Sequence, residues 1–186
     1  MNHGASSGTG LINKEDTAFI IIDMQERLFA VMMEKEKLLE NVMKLVKFSR
    51  ILGLPVLLTE QEKLGRTLPE IKGALEDVHP IPKVDFNCFG CEAFSEALAR
   101  LGKRTLLLAG IEAHICVAQT ALQGASGYTV HVVSDAIASR SSHNYRISLD
   151  RMAQSGVTIT STEMAIYEIL RRAGTEPFRE VLKLVK

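Results

Sequence analysis

Three residues that lie far apart in the sequence have the side chains that nucleophilic catalysis requires: Asp23, Lys83 and Cys116. A cysteine becomes a strong nucleophile when it loses its proton, and a carboxylate can take that proton and return it to a leaving group. A lysine beside them would favour the thiolate and balance the carboxylate charge. Each residue also has an ordinary interpretation, as a helix cap, a solvated lysine and a buried core cysteine respectively.

The elements that must position these residues alternate between strands and helices. Apolar and β-branched runs predict five strands, and a sixth, short one is predicted in "DVHPIPK", where Pro80 and Pro82 favour a sheet edge. The five runs cover residues 18–23, 55–60, 104–110, 129–135 and 157–162. Amphipathic helical patterns, several of them ending at glycine, lie between the runs. We therefore predict an α/β fold: a three-layer, Rossmann-like sandwich whose six-stranded, mostly parallel sheet is flanked by helices.

Composition limits the class of protein. The chain has 186 residues, of which 46% are hydrophobic, and this is enough for one core. We expect a flexible N-terminal tail over residues 1–13 and a single domain over residues 14–186. The 22 basic and 22 acidic residues balance, and they form no dense basic run, so we expect no nucleic-acid partner.

Targeting and redox context also follow from composition. No apolar run approaches the roughly 20 residues of a membrane span, so we expect no membrane partner. The start of the chain lacks the pattern of a signal peptide, and three cysteines is an odd number. We therefore expect a cytoplasmic protein with free thiols.

Ligands of open parallel sheets bind at the carboxyl ends of the strands. The residues that close the predicted strands are Asp23, residues 59–61, Lys83, residues 112–116, and residues 134 and 135. The candidate catalytic residues are therefore expected at one edge of the sheet. Cys116 stands where a strand joins a helix, and backbone N–H groups at a helix start favour a thiolate and can hold an oxyanion.

The pair Cys88 and Cys91 in "CFGC" is the main competing motif. It could be redox-active, or it could be two packed thiols before a helix. A zinc site would need a second pair of ligands, and none has suitable spacing. The histidines are scattered and no phosphate-loop pattern is present, so we expect no metal and no cofactor.

Three fragments together carry a resemblance to a known family: "FIIIDMQERLF", "IPKVDFNCF" and "LLLAGIEAHICVAQTALQGASGYTVHVVSDAIASRS". They resemble the isochorismatase-like cysteine hydrolases, which include nicotinamidase and N-carbamoylsarcosine amidohydrolase. The similarity runs from Thr17 to the C-terminal helix. The order of Asp, Lys and Cys, each in its expected local context, is more specific than any one motif.

This resemblance assigns roles to individual residues. Asp23 matches the general base of the family, Lys83 its triad lysine and Cys116 its nucleophile. The resemblance also implies a non-proline cis peptide between Ile111 and Glu112. The backbone N–H groups of Glu112 and Cys116 would then form the oxyanion hole.

Two differences from parts of the family narrow the expected metal dependence and the expected substrates. Metal-dependent nicotinamidases have histidine ligands after the second strand, whereas this chain reads "TEQEKLGRT" there, so we expect the metal-independent branch and disfavour nicotinamide as the substrate. Isochorismatase proper lacks the nucleophilic cysteine, so Cys116 argues against isochorismate. Gln61 resembles a polar pocket residue of the non-metal members, and we expect Phe29 and Phe86 to form apolar pocket walls.

The function implied by the resemblance is hydrolysis of a small amide, carbamoyl or related acyl compound through a thioester on Cys116. The family also implies a homo-oligomer. Two alternatives stay open, namely a non-catalytic small-molecule-binding or scaffold protein of the same fold, and a thiol oxidoreductase that uses Cys88 and Cys91. His114 is expected to be a bystander or a subunit contact.

Overall fold

A six-stranded sheet forms the centre of the protein. The computed structural model describes residues 10–185. The strands are β1 (Thr17–Ile22), β2 (Val56–Gln61), β3 (Ile81–Lys83), β4 (Thr105–Ile111), β5 (Thr129–Ala138) and β6 (Thr158–Thr160). Their order is β3-β2-β1-β4-β5-β6, and every neighbouring pair is parallel. The predicted α/β sandwich is confirmed, and β3 is an edge strand that contains Pro82.

Helices cover both faces of the sheet. They are α1 (Glu26–Phe29), α2 (Lys35–Leu52), α3 (Pro69–Ala74), α4 (Glu92–Leu101), α5 (Ala118–Gly124), α6 (Ser142–Gln154), α7 (Thr162–Leu170) and α8 (Glu176–Val185). Buried side chains of α2, α3, α7 and α8 form one core cluster, and those of α4, α5 and α6 form another. The sheet lies between these two clusters, which makes the three layers.

The central strand β1 shows why its sequence is continuously apolar. Phe19 and Ile21 pack into the cluster beneath α2, whereas Ala18, Ile20 and Ile22 pack into the cluster beneath α4 and α5. Each large apolar side chain that leaves water in this way contributes about 1.5–3 kcal/mol to folding. The buried strand therefore holds its carboxyl end, where Asp23 follows, at a fixed place in the sheet.

The N-terminal boundary of the packed domain corrects the predicted one. Ile12 is 1% exposed, its N–H donates to Glu168 Oε2 over 3.1 Å, and its carbonyl accepts from Arg171 Nη2 over 2.8 Å. The Asn13 side chain caps the short 3₁₀ turn Lys14–Asp16. Residues 12 and 13 are thus part of the domain rather than of a tail, because Ile12 fills the core beside α7. Residues 1–9 of the predicted tail lie outside the described residues.

Gly110 allows β4 to approach β1 closely at Ile22, the residue that precedes Asp23. It pairs in register with Ile22 and has φ 122°, a conformation that favours glycine. A Cβ atom added to Gly110 would lie 2.0 Å from the Ile22 carbonyl oxygen. Any side chain at this position would push apart the two strands that carry Asp23 and Cys116.

We expect Gly110→Ala to destabilise the protein by at least about 3 kcal/mol, because both the backbone conformation and the contact with Ile22 oppose a methyl group. Gly73→Ala is the matched control: Gly73 lies in α3, and nothing stands within 4 Å of its added Cβ. It should be neutral or stabilising by up to about 1 kcal/mol. Urea unfolding measures both changes, and a Gly110→Ala protein as stable as the wild type would contradict the argument.

Candidate active site

The carboxyl ends of three strands bring Asp23, Lys83 and Cys116 together. Lys83 Nζ lies 2.7 Å from Asp23 Oδ2, and both side chains are fully buried. The Cys116 thiol belongs to the same cluster, because the charges of Asp23 and Lys83 both affect its pKa. Three residues that are far apart in the sequence thus form one cluster. The cluster lies at the topological switch point of the sheet, between the adjacent strands β1 and β4.

The backbone of Asp23 is fixed as firmly as its side chain. Its φ of 51° lies in the left-handed region, which Asp tolerates better than most residues. Its N–H donates to the Thr59 carbonyl over 3.3 Å, and its carbonyl accepts from the Gln25 N–H over 2.7 Å. The chain therefore turns sharply at the end of β1 and directs the Asp23 carboxylate toward Lys83.

The Lys83 ammonium group has all its hydrogen-bond partners inside the protein. It donates to Asp23 Oδ2 and to Gln61 Oε1, each over 2.7 Å, and to the Asp85 carbonyl over 3.2 Å. Burial alone would lower the pKa of Lys83, but the negative charge of Asp23 and the hydrogen bond to Asp23 raise it above its usual value. The lysine therefore remains charged at neutral pH and acts as a fixed cation.

The Cys116 thiol titrates in the opposite direction to the one expected from its helix-start position. Burial and then the charge of Asp23 raise the pKa of Cys116 to about 12, and the opposing effect of Lys83 is smaller. This direction opposes the expectation of a thiolate in the resting site. Only 5% of the residue is exposed, so the loss of solvation outweighs the favourable helix start. The raised pKa favours a neutral thiol beside the Asp23 carboxylate.

Gln25 organises the residues around Lys83, a role that was not predicted from the sequence. Its fully buried side chain accepts from the Gln61 N–H over 2.8 Å and donates to the carbonyls of Gln61 and Gly65 over 3.0 and 2.7 Å. The side-chain amide of Gln61 donates to the Val84 carbonyl over 2.6 Å. Gln61 is therefore held with its oxygen on Lys83, whereas its predicted contact with a substrate stays a prediction. The only sequence signal for Gln25 is its position two residues after Asp23.

The turn that carries Cys116 is tied to the end of β5. The Ile111–Glu112 peptide is cis, and the segment Ala113–Val117 is a π-helical turn that leads into α5. The Glu112 carboxylate, only 4% exposed, accepts from the backbone N–H and the Nε of Arg140, each over 3.1 Å. His114 Nδ1 lies 2.9 Å from Ser139 Oγ, so His114 holds this turn against β5. The oxyanion hole assigned to the N–H groups of Glu112 and Cys116 stays a prediction.

The two residues predicted to form apolar pocket walls, Phe29 and Phe86, lie on the segments that follow β1 and β3. Phe29 ends α1, is partly buried and packs against the core cluster beneath α2. Phe86 follows β3 and is 54% exposed. Their contact with a substrate is a prediction.

The pair Cys88 and Cys91 does not have the features of a redox pair. Both thiols are free, and Cys88 is fully buried. Burial raises the pKa of Cys88 to about 11, although the Thr120 hydroxyl, Lys83 and the Thr59 hydroxyl lower it in part. Redox cysteines have lowered pKa values and access to solvent. These observations oppose the oxidoreductase alternative and make Cys88 a packing residue beside the cluster.

Within residues 10–185, no group of three or more His, Cys, Asp and Glu side chains is arranged to hold a metal ion. A cavity of about 230 Å³ opens at the carboxyl end of β5, and it is lined in part by Met33, Asp135, Ser139 and Tyr145. Asp23, Lys83 and Cys116 do not line it, so it lies beside the cluster rather than over it.

The chain is similar to known proteins over nearly its full length. Residues 17–164 match the sequence pattern of the isochorismatase domain. A secreted isochorismatase effector from Phytophthora sojae, Isc1, is 34% identical over 98% of this chain and 90% of that protein.

Two solved structures share the fold. One, described as the MAR1 ribonuclease of Caenorhabditis elegans, has a TM-score of 0.88 and 31% identity, and the alignment covers 94% of this chain and 92% of that one. The other is the Escherichia coli YcaC gene product, described as an octameric hydrolase of unknown specificity. It has a TM-score of 0.87 and 26% identity, and the alignment covers 97% of this chain and 89% of that one.

The raised pKa of Cys116 leads to a test of the cluster that needs no substrate. Asp23→Asn removes the neighbouring negative charge and leaves Lys83, so the pKa of Cys116 should fall from about 12 by at least about one unit. The pH dependence of Cys116 alkylation by iodoacetamide, followed by peptide mass spectrometry, measures this shift. Asp135→Asn, which removes a carboxylate at the end of β5, is the control and should not change it. An unchanged or higher midpoint in Asp23→Asn would contradict the proposed contact between Asp23 and Cys116.

Proposed function

Because this chain belongs to the isochorismatase family, we propose that it is a cysteine hydrolase that cleaves a small amide, carbamoyl or related acyl compound. The observation that carries this proposal is the buried Asp23–Lys83 ion pair placed against the Cys116 thiol. Burying two charges is costly, and a protein that only packs a core has no need of them. Around a thiol, they supply a base and a fixed cation.

The reaction begins with transfer of the Cys116 proton to the Asp23 carboxylate as the sulfur attacks the substrate carbonyl carbon. The carbonyl oxygen becomes an oxyanion, which the backbone N–H groups of Glu112 and Cys116 stabilise. Collapse of the tetrahedral intermediate breaks the bond to the leaving group. Asp23 gives its proton to that group, and an acyl thioester remains on Cys116.

Hydrolysis of the thioester uses the same residues in reverse. Asp23 removes a proton from a water molecule, whose oxygen attacks the thioester carbonyl. The C–S bond then breaks, and the proton held by Asp23 returns to the sulfur, so that the free enzyme is regenerated with a neutral thiol. Lys83 stays protonated in every step, since its raised pKa keeps it a cation while the charge moves between Asp23 and Cys116.

Two side chains at the carboxyl end of β2 support a mechanism without a metal. Glu60 Oε1 accepts from the N–H and hydroxyl of Thr67 over 2.7 and 2.6 Å, and Gln61 Oε1 accepts from Lys83. These two oxygens are thus engaged in hydrogen bonds within the protein. Gln61, Phe29 and Phe86 are the residues we assign to the substrate pocket.

Two properties of the relatives bear on partners. The octameric state of the Escherichia coli relative supports a homo-oligomer for this chain. The Caenorhabditis elegans relative is described as a ribonuclease, but the balance of 22 basic and 22 acidic residues here gives no excess positive charge for RNA. We therefore favour a small uncharged or weakly charged substrate.

Location is proposed on the chemistry of the thiols. In the described part of the chain, no helix is long and apolar enough to cross a bilayer. Free thiols at Cys88, Cys91 and Cys116 fit a reducing compartment, and we propose the cytoplasm. One relative is described as a secreted effector, so fractionation of the native host cell is the appropriate test.

The proposed function is tested by screening small amides, ureas, carbamates and thioesters for hydrolysis, with RNA as a separate arm. We expect hydrolysis of at least one acyl compound, loss of about 10³-fold or more of the rate in Cys116→Ala, and no cleavage of RNA. Cys91→Ala is the matched control and should retain activity. Ligand binding without turnover by the wild type would instead favour the non-catalytic alternative, and RNA cleavage that survives Cys116→Ala would overturn the proposal.

A further inference from the structure

Thr59 contacts Asp23 through both its backbone and its side chain. It lies opposite Ile22 in the register of β1 and β2, and its carbonyl accepts the Asp23 N–H over 3.3 Å. Its hydroxyl donates to Asp23 Oδ1 over 2.7 Å, and both side chains are fully buried. The reaction steps proposed above do not involve this hydroxyl.

The two oxygens of the Asp23 carboxylate have different donors. Oδ1 accepts from the Thr59 hydroxyl, whereas Oδ2 accepts from the Lys83 ammonium. Rotation about the last side-chain bond of Asp is otherwise broad. A carboxylate held at each oxygen by a separate, rigid group cannot rotate, so the lone pair that faces the Cys116 thiol keeps its direction.

The chemistry of the two groups explains why the Thr59 proton goes to Asp23. A hydroxyl carries one proton, whereas an ionised carboxylate has only acceptor oxygens. The hydroxyl is therefore the donor to Oδ1, and the bond is shorter than most because the acceptor is charged.

We propose that Thr59 is a positioning residue for the reaction, because its hydroxyl fixes the direction of the Asp23 carboxylate. This inference rests on the proposed function, in which Asp23 first accepts a proton from Cys116 and then releases it. Without the Thr59 hydroxyl, Oδ1 loses its fixed partner, and the carboxylate can turn away from the sulfur.

The inference is tested on the rate of Cys116 alkylation, which requires no substrate. Thr59→Val replaces the hydroxyl with a methyl group of similar size, and Thr59→Ser keeps the hydroxyl. Iodoacetamide labelling of the peptide that contains Cys116 is followed over time by mass spectrometry at neutral pH, with circular dichroism to verify folding. Thr162→Val is the matched control, since the buried Thr162 also donates its hydroxyl to a carboxylate, that of Asp135 over 2.9 Å.

We expect the alkylation rate at neutral pH to fall about tenfold in Thr59→Val and to stay at the wild-type value in Thr59→Ser and Thr162→Val, because a misdirected carboxylate takes the Cys116 proton less often. If Thr59→Val does not fold, Thr59→Ala removes the same hydroxyl without adding a methyl group, and the same loss is expected. For a substrate found in the hydrolysis screen, kcat should fall about tenfold with KM unchanged.

Two results would overturn the inference. One is a wild-type alkylation rate in the folded Thr59→Val or Thr59→Ala protein. The other is an equal loss of rate in Thr59→Ser, which would assign the effect to packing rather than to the hydroxyl. Because alkylation needs no substrate, a failure here is distinguishable from a failure of the proposed hydrolase, which the substrate screen alone detects.

Discussion

The buried ion pair between Lys83 and Asp23 is the interaction on which the rest of the site depends. Neither side chain is exposed, so each charge has lost its hydration and needs the other. Gln61 and the Asp85 carbonyl accept the other hydrogen bonds of the Lys83 ammonium group, and the Thr59 hydroxyl donates to the Asp23 carboxylate. Removing either charge would leave the other buried and unpaired. The pair therefore explains why so many hydrogen bonds converge on the carboxyl ends of β1, β2 and β3.

The same pair sets the chemistry available to Cys116. A nearby cation alone would favour a permanent thiolate, but Lys83 is neutralised by Asp23, and burial keeps the sulfur protonated. The site thus stores a neutral thiol beside a base instead of an exposed reactive anion. In the proposed mechanism, this arrangement limits side reactions of the thiol and makes proton transfer to Asp23 part of the attack itself.

Much of the fold and the identity of the central residues could be predicted from the sequence. Continuous apolar runs that end at Asp23 and near Cys116 predicted buried parallel strands, and the rule that ligands bind at strand ends placed Lys83 with them. The direction of the Cys116 pKa could not be predicted, because it depends on the depth of burial and on the distance to Asp23. Gln25 and the Glu112–Arg140 contact were missed for a similar reason, since such hydrogen bonds form only after the chain has folded.

The most direct test of this account is the ionisation state of the resting Cys116 sulfur. Protein labelled with ¹³C at the cysteine β-carbon, with the resonance assigned by comparison with Cys116→Ser, reports whether the sulfur carries its proton. The account predicts a thiol chemical shift at neutral pH that does not change below about pH 10, because the pKa of Cys116 is raised to about 12. A thiolate chemical shift at neutral pH, or a titration midpoint below about pH 8, would contradict it.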